Sequence, residues 1–118
     1  MNIEKRLYAA LAPLCARVFP DVAPIETPRP YVMWQQIGGQ SPSFLERGVA
    51  NMRNARIQIS VWADSRMAAN TLALAIEKAL AEDATMQASA ESALVALYES
   101  EMRLYGALQD FTIWTPRE

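Results

Sequence analysis

The stretch NARIQISVWA, from Asn54 to Ala63, decides the fold of this chain. Its apolar residues Ile57, Ile59 and Val61 alternate with a second, mainly polar set that ends in Trp62. Successive side chains of a strand point to opposite faces of a sheet. The alternation therefore predicts a half-buried strand with one face on a hydrophobic core.

A helix is expected directly after this strand. Asp64 or Ser65 can cap it, because either side-chain oxygen can accept hydrogen bonds from the free N–H groups of the first helical turn. The helix is expected to end at Glu82-Asp83. Its predicted buried stripe is made mostly of small residues, which would let it lie close against a sheet. The members of that stripe are Ala68, Leu72, Ala75 or Ile76, Ala79 and Leu80.

Another helix is predicted at the start of the chain. Ile3, Leu7, Leu11 and Leu14 recur at helical spacing, and Asn2 can serve as the N-cap. Pro13 cannot continue this helix, so the helix is expected to end just before it, with a short turn to follow. The prolines within residues 20–30 predict an irregular connector.

Three further strands complete the prediction. Residues 31–37 are rich in β-branched and aromatic side chains and stop at Gly38-Gly39. Residues 94–99 and 108–115 are predicted as the last two strands, with Phe111 and Ile113 facing the core. Gly106 is expected to mark the turn or a bulge between them. Residues 84–93 are rich in alanine, and their pattern favours neither a helix nor a strand.

These elements predict an α+β fold in the order helix, strand, strand, helix, strand, strand. The first and second strands, and likewise the third and fourth strands, can pair as antiparallel hairpins. The economical arrangement is a single, mostly antiparallel sheet of about four strands with two helices packed on one face. At 118 residues the chain fits one domain, so residues 1–118 are expected to fold as one unit.

Composition argues against several classes of function. The net charge is −2, from 11 basic and 13 acidic residues, and no basic run is present, so sequence-specific nucleic-acid binding is not expected. No apolar run approaches the length of a membrane helix, so no membrane partner is expected. The opening residues are too charged for a signal peptide, and a single cysteine, Cys15, fits a reducing cytoplasm.

Catalytic chemistry finds little support in the sequence. The chain has no histidine, which removes the commonest general base and every His-based metal site. Cys15 is interpreted as a small buried hydrophobic side chain. Glu99 and Glu101 are interpreted as a solvated strand edge and not as an acid–base pair. We therefore predict no enzyme activity, no catalytic residue, no metal and no cofactor.

Residues 39–53 form a long segment between two strands that are expected to pair. Structureless segments of this length are uncommon in compact domains unless they are functional or mobile. The segment combines apolar anchors with charges of both signs, and its candidate subunit- or tail-interface residues are Phe44, Leu45, Glu46, Arg47, Met52 and Arg53. Two interpretations stay open: a disordered flap, or a loop that becomes ordered against a neighbouring subunit.

Two tryptophans are the other candidate contact residues. Trp62 and Trp114 alternate with the core residues of their strands, so they are expected on the sheet face that the helices do not cover. A large exposed aromatic side chain usually needs cover. That cover could come from another subunit, or from the long segment or the proline-rich connector of the same chain.

Taken in order, several stretches resemble the tail-completion family of long-tailed phages and prophages, whose relatives include the lambda-type tail terminators and the tail-to-head joining proteins. The matching pieces are the opening helix with Leu7 and Leu11, RVFP at 17–20, PYV at 30–32 running into Gln35, RIQISVWA at 56–63 followed directly by a helix, and the end from Tyr105 through DFTIW at 110–114. Together they cover nearly the whole chain.

The resemblance implies a structural protein that forms a ring, a hexamer, at the head-proximal end of the tail. Such a ring would end tail-tube polymerisation and join tail to head. Its implied partners are further copies of itself, the tail tube protein and the head connector protein. Its implied location is the virion tail or neck, after assembly in the bacterial cytoplasm.

Two other functions compete with the ring. One is a small non-catalytic binding or regulatory module that forms a dimer through an exposed strand edge. The other is a carboxylate enzyme, which requires Glu99, Glu101 and Asp110 to meet in one pocket.

Overall fold

A computed structural model describes residues 2–40 and 52–116 of the chain. The helices are α1 (Ile3–Leu11) and α2 (Arg66–Glu82). The strands are β1 (Val18–Pro20), β2 (Tyr31–Gly38), β3 (Met52–Ala63), β4 (Ser89–Ala90), β5 (Val95–Glu99) and β6 (Leu104–Pro116). The predicted α+β class and the predicted order of the main elements are confirmed.

The sheet is built around a long antiparallel ribbon of β3 and β6. The two strands pair in continuous register from Met52 opposite Pro116 to Ala63 opposite Tyr105. Since β3 has 12 residues, the ribbon is roughly 40 Å long at the usual rise per residue. β2 pairs antiparallel with the other side of β3, as predicted for that hairpin. β5 pairs antiparallel with β6, which confirms the second predicted hairpin.

The sheet has six strands and is mixed, where about four mostly antiparallel strands were predicted. The difference lies in two short strands. β1 has three residues, ends in Pro20 and runs parallel to β2, and β4 has two residues on the far side of β6. Such strands are too short to show a period of their own and depend on the neighbouring strand for their hydrogen bonds.

Both helices contribute to one core with the face of the sheet that carries Ile57, here called the inner face. The predicted caps are confirmed: the Asn2 side chain accepts from Lys5 N at 2.9 Å, and Ser65 Oγ accepts from Ala68 N at 3.1 Å. Buried members of the core include Ile3, Leu7 and Leu11 from α1, Ile57, Ile59 and Val61 from β3, and Phe111 and Ile113 from β6.

The predicted buried stripe of α2 is confirmed in the second half of the helix and wrong by one position in the first half. Ile76 and Leu80 are buried as predicted, but Ala69 and Ala73 take the places predicted for Ala68, which is exposed, and Leu72, which is partly buried. Positions 69, 73, 76 and 80 lie on one side of a helix, because they are separated by four, three and four residues. The alternative stripe through Ala68 and Leu72 is rotated away from the sheet.

Gly106 is not a turn or a bulge. β6 begins at Leu104, and Gly106 lies inside it, directly opposite Trp62. A Cβ added at Gly106 would lie 2.7 Å from the Cζ3 atom of the Trp62 ring, so glycine is needed there to make room for the indole. The turn lies before it, where the Glu99 carboxylate accepts from the backbone N–H groups of Glu101 and Met102.

The segment 84–93 contains a turn followed by β4. Met86 lies in that turn and is fully buried, and its carbonyl oxygen accepts from Trp114 N at 2.9 Å. The alanine-rich pattern did not predict that Met86 is buried, because a single buried methionine shows no periodicity.

Candidate assembly surface

The face of the sheet opposite the helices, here called the outer face, carries both candidate tryptophans. Trp62 lies opposite Gly106 and Trp114 opposite Asn54, each out of phase with Ile57 and Phe111. Both indoles are half-buried. The predicted placement of the two tryptophans is therefore confirmed, and their role as contact residues stays a prediction.

One end of the outer face is apolar. Met33 of β2, Ser60 of β3 and Leu108 of β6 lie side by side across the sheet. Together with Trp62 and Leu97 they line a cavity of about 290 Å³, whose wall also includes the polar residues Asp21, Gln35 and Gln58. A cavity that combines apolar walls with a few polar groups can accept a side chain of a partner.

The middle of the outer face, between Leu108 and Trp114 of β6, is polar. Asp110 accepts from Arg56 Nη2 at 3.3 Å and from Gln58 Nε2 at 3.2 Å. Thr112, two residues along β6, pairs with the Glu91 carboxylate. These groups are partly exposed, so they contribute little to stability and present both donors and acceptors to solvent or to a partner.

The proline-rich connector lies beside the apolar end. Arg29 holds it in place, donating to Asp64 Oδ1 at 2.9 Å and to the Met102 carbonyl at 2.8 Å. Residues 23–27 line a cavity of about 540 Å³ with Tyr31 and Leu104, which belong to the outer face. The connector thus extends over the end of the face next to Trp62, in line with the same-chain cover considered for that region.

Two residues assigned to the long segment belong to a strand instead. Met52 and Arg53 begin β3, because β6 extends far enough to pair with them through Pro116 and Thr115. Arg53 donates to Gln36 Oε1 at 2.6 Å and forms a 3.4 Å ion pair with Glu4 of α1. The other four candidates of that segment, Phe44, Leu45, Glu46 and Arg47, lie outside the described residues.

The segment leaves β2 through a glycine for a steric reason. Gly39 has φ of +144°, and a Cβ at this position would lie 2.6 Å from the carbonyl oxygen of Asn54. The Asn54 side chain secures the exit, accepting from Gln40 N at 2.6 Å and donating to the Ile113 carbonyl at 3.2 Å. The sequence therefore fixes where the segment begins.

The carboxylates considered for catalysis do not meet. Glu99 binds the backbone of its own turn, and Asp110 binds Arg56 and Gln58 in the middle of β6. Within residues 2–40 and 52–116, no group of three or more His, Cys, Asp or Glu side chains is placed to hold a metal ion. Cys15 is buried in the core, with its Sγ 3.5 Å from the Pro30 carbonyl oxygen.

A second apolar surface, which was not predicted from the sequence, lies on the helix side of the molecule. An open groove of about 540 Å³, here called the helix groove, runs along the first half of α2. It is lined by Leu14, Pro30, Ser65, Met67, Ala68, Thr71, Leu72 and Ala75. The sequence signal that could have indicated this groove is the absence of any charged residue from Met67 to Ile76.

Neither described helix has the length and apolar character needed to cross a bilayer.

Comparison with known proteins gives the family. No curated protein matches the chain. The family model described as "Tail completion protein gp17" matches residues 5–116, nearly the whole sequence. The chain therefore belongs to the phage tail-completion family and is a structural component of the virion tail.

Proposed function

We propose that this chain forms a hexameric ring at the head-proximal end of the phage tail, where it stops polymerisation of the tail tube and joins the tail to the head. The family match over residues 5–116 is the observation that carries this proposal. Its specific partners would be further copies of itself, the tail tube protein and the head connector protein. Assembly would take place in the cytoplasm of the bacterial host.

The distribution of surface chemistry supports an assembly role. The outer face combines a mainly apolar end at Trp62 with a polar middle at Asp110, and the helix groove adds an apolar surface along α2. A cyclic ring needs two different patches on each subunit, since each subunit contacts its two neighbours through different surfaces. A charge of −2 with no basic run fits a ring that lets DNA pass without binding it.

The candidate interface residues keep their proposed roles in three groups. Phe44, Leu45, Glu46 and Arg47 are proposed to contact a neighbouring subunit or the tail tube. Trp62 and Trp114 are proposed to contact partners from the outer face. Met52 and Arg53 are proposed to act from the end of β3, where Arg53 already links that strand to Gln36 and Glu4.

Electron microscopy of particles produced with and without the gene tests this proposal. We expect tails of variable, excessive length without heads when the gene is deleted, because nothing ends tube growth. Tails of normal length without heads would restrict the role to joining. Intact infectious particles would contradict both roles.

A point variant can separate assembly from folding. Replacing Trp114, which is half-buried on the outer face, by alanine should give a folded protein that fails to complement the deletion. The matched control is Tyr8→Phe, an exposed change on α1 that should complement fully. Full complementation by Trp114→Ala would remove this residue from the proposed contact surface.

One observation favours the dimer considered above as a second candidate. The edge of β5 that faces away from β6 forms no ladder within the described part of the chain, and Val95 and Tyr98 are about half exposed. Two such edges could pair antiparallel across a two-fold axis. Native mass spectrometry distinguishes the candidates, since a stable dimer with no ring on tails would favour the regulatory module.

A further inference from the structure

The first half of α2 is apolar on the side that faces away from the sheet as well as on the side that faces it. Met67 and Leu74 lie seven residues apart, about two turns, and are 79% and 55% exposed. Arg66 cannot screen them, because its guanidinium is turned onto the sheet, where it donates to the carbonyls of Gly106 and Leu97. A helix that is apolar on both sides is normally covered on both sides.

The connector presents an apolar group that projects from the surface, whereas the helix groove is concave. Its tip, here defined as Pro24–Thr27, is a tight turn in which Thr27 N and Oγ1 both donate to the Pro24 carbonyl. Ile25 stands at the tip and is 94% exposed, and Val22 nearby is 71% exposed. Glu26 holds φ at +67°, a conformation that costs a non-glycine residue free energy and that fixes the direction of the turn.

The connector tip and the helix groove are two different surfaces of the chain. The tip lines a cavity with Tyr31 and Leu104 of the outer face, whereas the groove lies on α2, with Pro30 of the same connector in its wall. No residue of the tip lines the groove of its own chain, so a tip that a second copy places there would join two different surfaces of two copies. Such a contact repeats from subunit to subunit and can close into a ring.

Charges near the two surfaces are complementary. Lys78 continues the exposed stripe of α2, four residues after Leu74, and Glu26 follows Ile25 in the connector tip. Neither makes an ion pair with another described residue. An apolar contact flanked by one acidic and one basic group would fix its orientation as well as its position.

Strand edges offer a poorer head-to-tail contact. β5 has a free edge, but the opposite edge of the sheet is β1, which has three residues and ends in a proline that cannot donate a hydrogen bond. A ladder that continued from β5 of one copy to β1 of the next would therefore be very short.

We propose that the helix groove binds the connector tip of a second copy of this chain, with Ile25 inserted beside Thr71 and with Glu26 directed towards Lys78. The inference rests on the ring proposed above and specifies the contact between its subunits. Each subunit would donate one tip and accept one, so that the exposed apolar surfaces of the groove and the tip are covered by the same interface.

Disulfide cross-linking on assembled tails tests this contact. Tails are prepared from cells in which the double variant Ile25→Cys/Thr71→Cys is the sole copy, oxidised, and run on a non-reducing gel. We expect a ladder of covalent oligomers of this chain. The matched control is Ile25→Cys/Tyr8→Cys, because Tyr8 is exposed on α1 and lies outside the groove; it should give no more product than the wild type, whose Cys15 is buried.

The outcomes separate the contact from the ring. The contact is wrong if tails of normal length contain the chain but the ladder is absent, or if the control pair gives the same ladder. Self-cross-linking of Ile25→Cys alone would also overturn it, since that requires two tips to meet. If the chain is missing from tails and tail length is unchanged by its deletion, the proposed ring fails and this contact fails with it.

Charge reversal gives a second readout. Glu26→Lys and Lys78→Glu should each lower the number of completed particles, and the double variant should restore it. Lys5→Glu, an exposed reversal on α1, is the control and should have no effect. Failure of the double variant to exceed either single variant would contradict the proposed pairing.

Discussion

The inner and outer faces of the sheet are built from the same strands but have different chemistry. On the inner face, residues such as Ile57 and Phe111 are fully buried beneath two helices. On the outer face, their neighbours Trp62 and Leu108 are only half-buried, and polar groups replace apolar ones towards Asp110. The inner face therefore accounts for folding, and the outer face has surface left over for assembly.

This comparison implies that substitutions should divide by face. Truncation of a side chain on the inner face should lower the free energy of unfolding, whereas truncation of a half-buried side chain on the outer face should act mainly on partners. The predictions below test that division, from the largest expected effect on stability to the smallest.

The largest effect is expected for Phe111→Ala. Phe111 is 2% exposed at the centre of the inner face, and its removal leaves a cavity that the packed helices cannot fill. We expect a loss of about 3–5 kcal/mol in the free energy of unfolding, measured by urea denaturation. Leu108→Ala on the outer face is the control, and an equal loss in both variants would contradict the division.

A smaller loss is expected for Gly106→Ala, because the added methyl group would meet the Trp62 ring. We expect about 1–3 kcal/mol of destabilisation, the usual range for an overpacked site. A double-mutant cycle with Trp62→Val checks the cause. The penalty should largely vanish when Gly106→Ala is introduced together with Trp62→Val, and an unchanged penalty would place the strain elsewhere.

Arg66→Lys should have a moderate effect. Arg66 binds the carbonyls of Gly106 and Leu97 at once, and its guanidinium lies 5.6 Å from the centre of the Tyr105 ring. A lysine cannot reproduce this forked geometry. We expect a loss of about 1–2 kcal/mol in thermal or urea denaturation. The matched control is Arg103→Lys, an exposed change in the turn before β6, which should cause no measurable loss.

The smallest effect is expected for Asp110→Asn. Its partner Arg56 is 48% exposed, and ion pairs in such positions contribute little. The free energy of unfolding should change by less than about 1 kcal/mol. A larger loss in calorimetry would mean that the polar middle of the outer face is part of the folding framework.

Regular patterns made the framework of the fold predictable. The alternation from Ile57 to Val61 fixed which side of β3 faces the core, and Trp62 then fell on the other face. The capping residues Asn2 and Ser65 marked both helix starts. These signals lie within short stretches of sequence, so they can be recognised without knowing which distant segments contact one another.

The missing parts depend on contacts between distant segments. β1 forms because Val18 to Pro20 pair with β2, and the buried Met86 is held by Trp114. Gly106 was assigned to a turn because its partner, Trp62, is far away in sequence. The helix groove forms because Leu14 and Pro30 lie beside α2, and no single stretch of sequence indicates that these distant residues come together. The role of the candidate site residues stays a prediction because it depends on partners.

Cryo-electron microscopy of the head-proximal end of the tail, with this chain fitted into the density, tests most directly whether the chain forms a ring there. We expect one ring of the chain on the end of the tube, with the outer face and the helix groove in contact with neighbours. Copies repeated along the tube, or a tube end that lacks the chain, would contradict it.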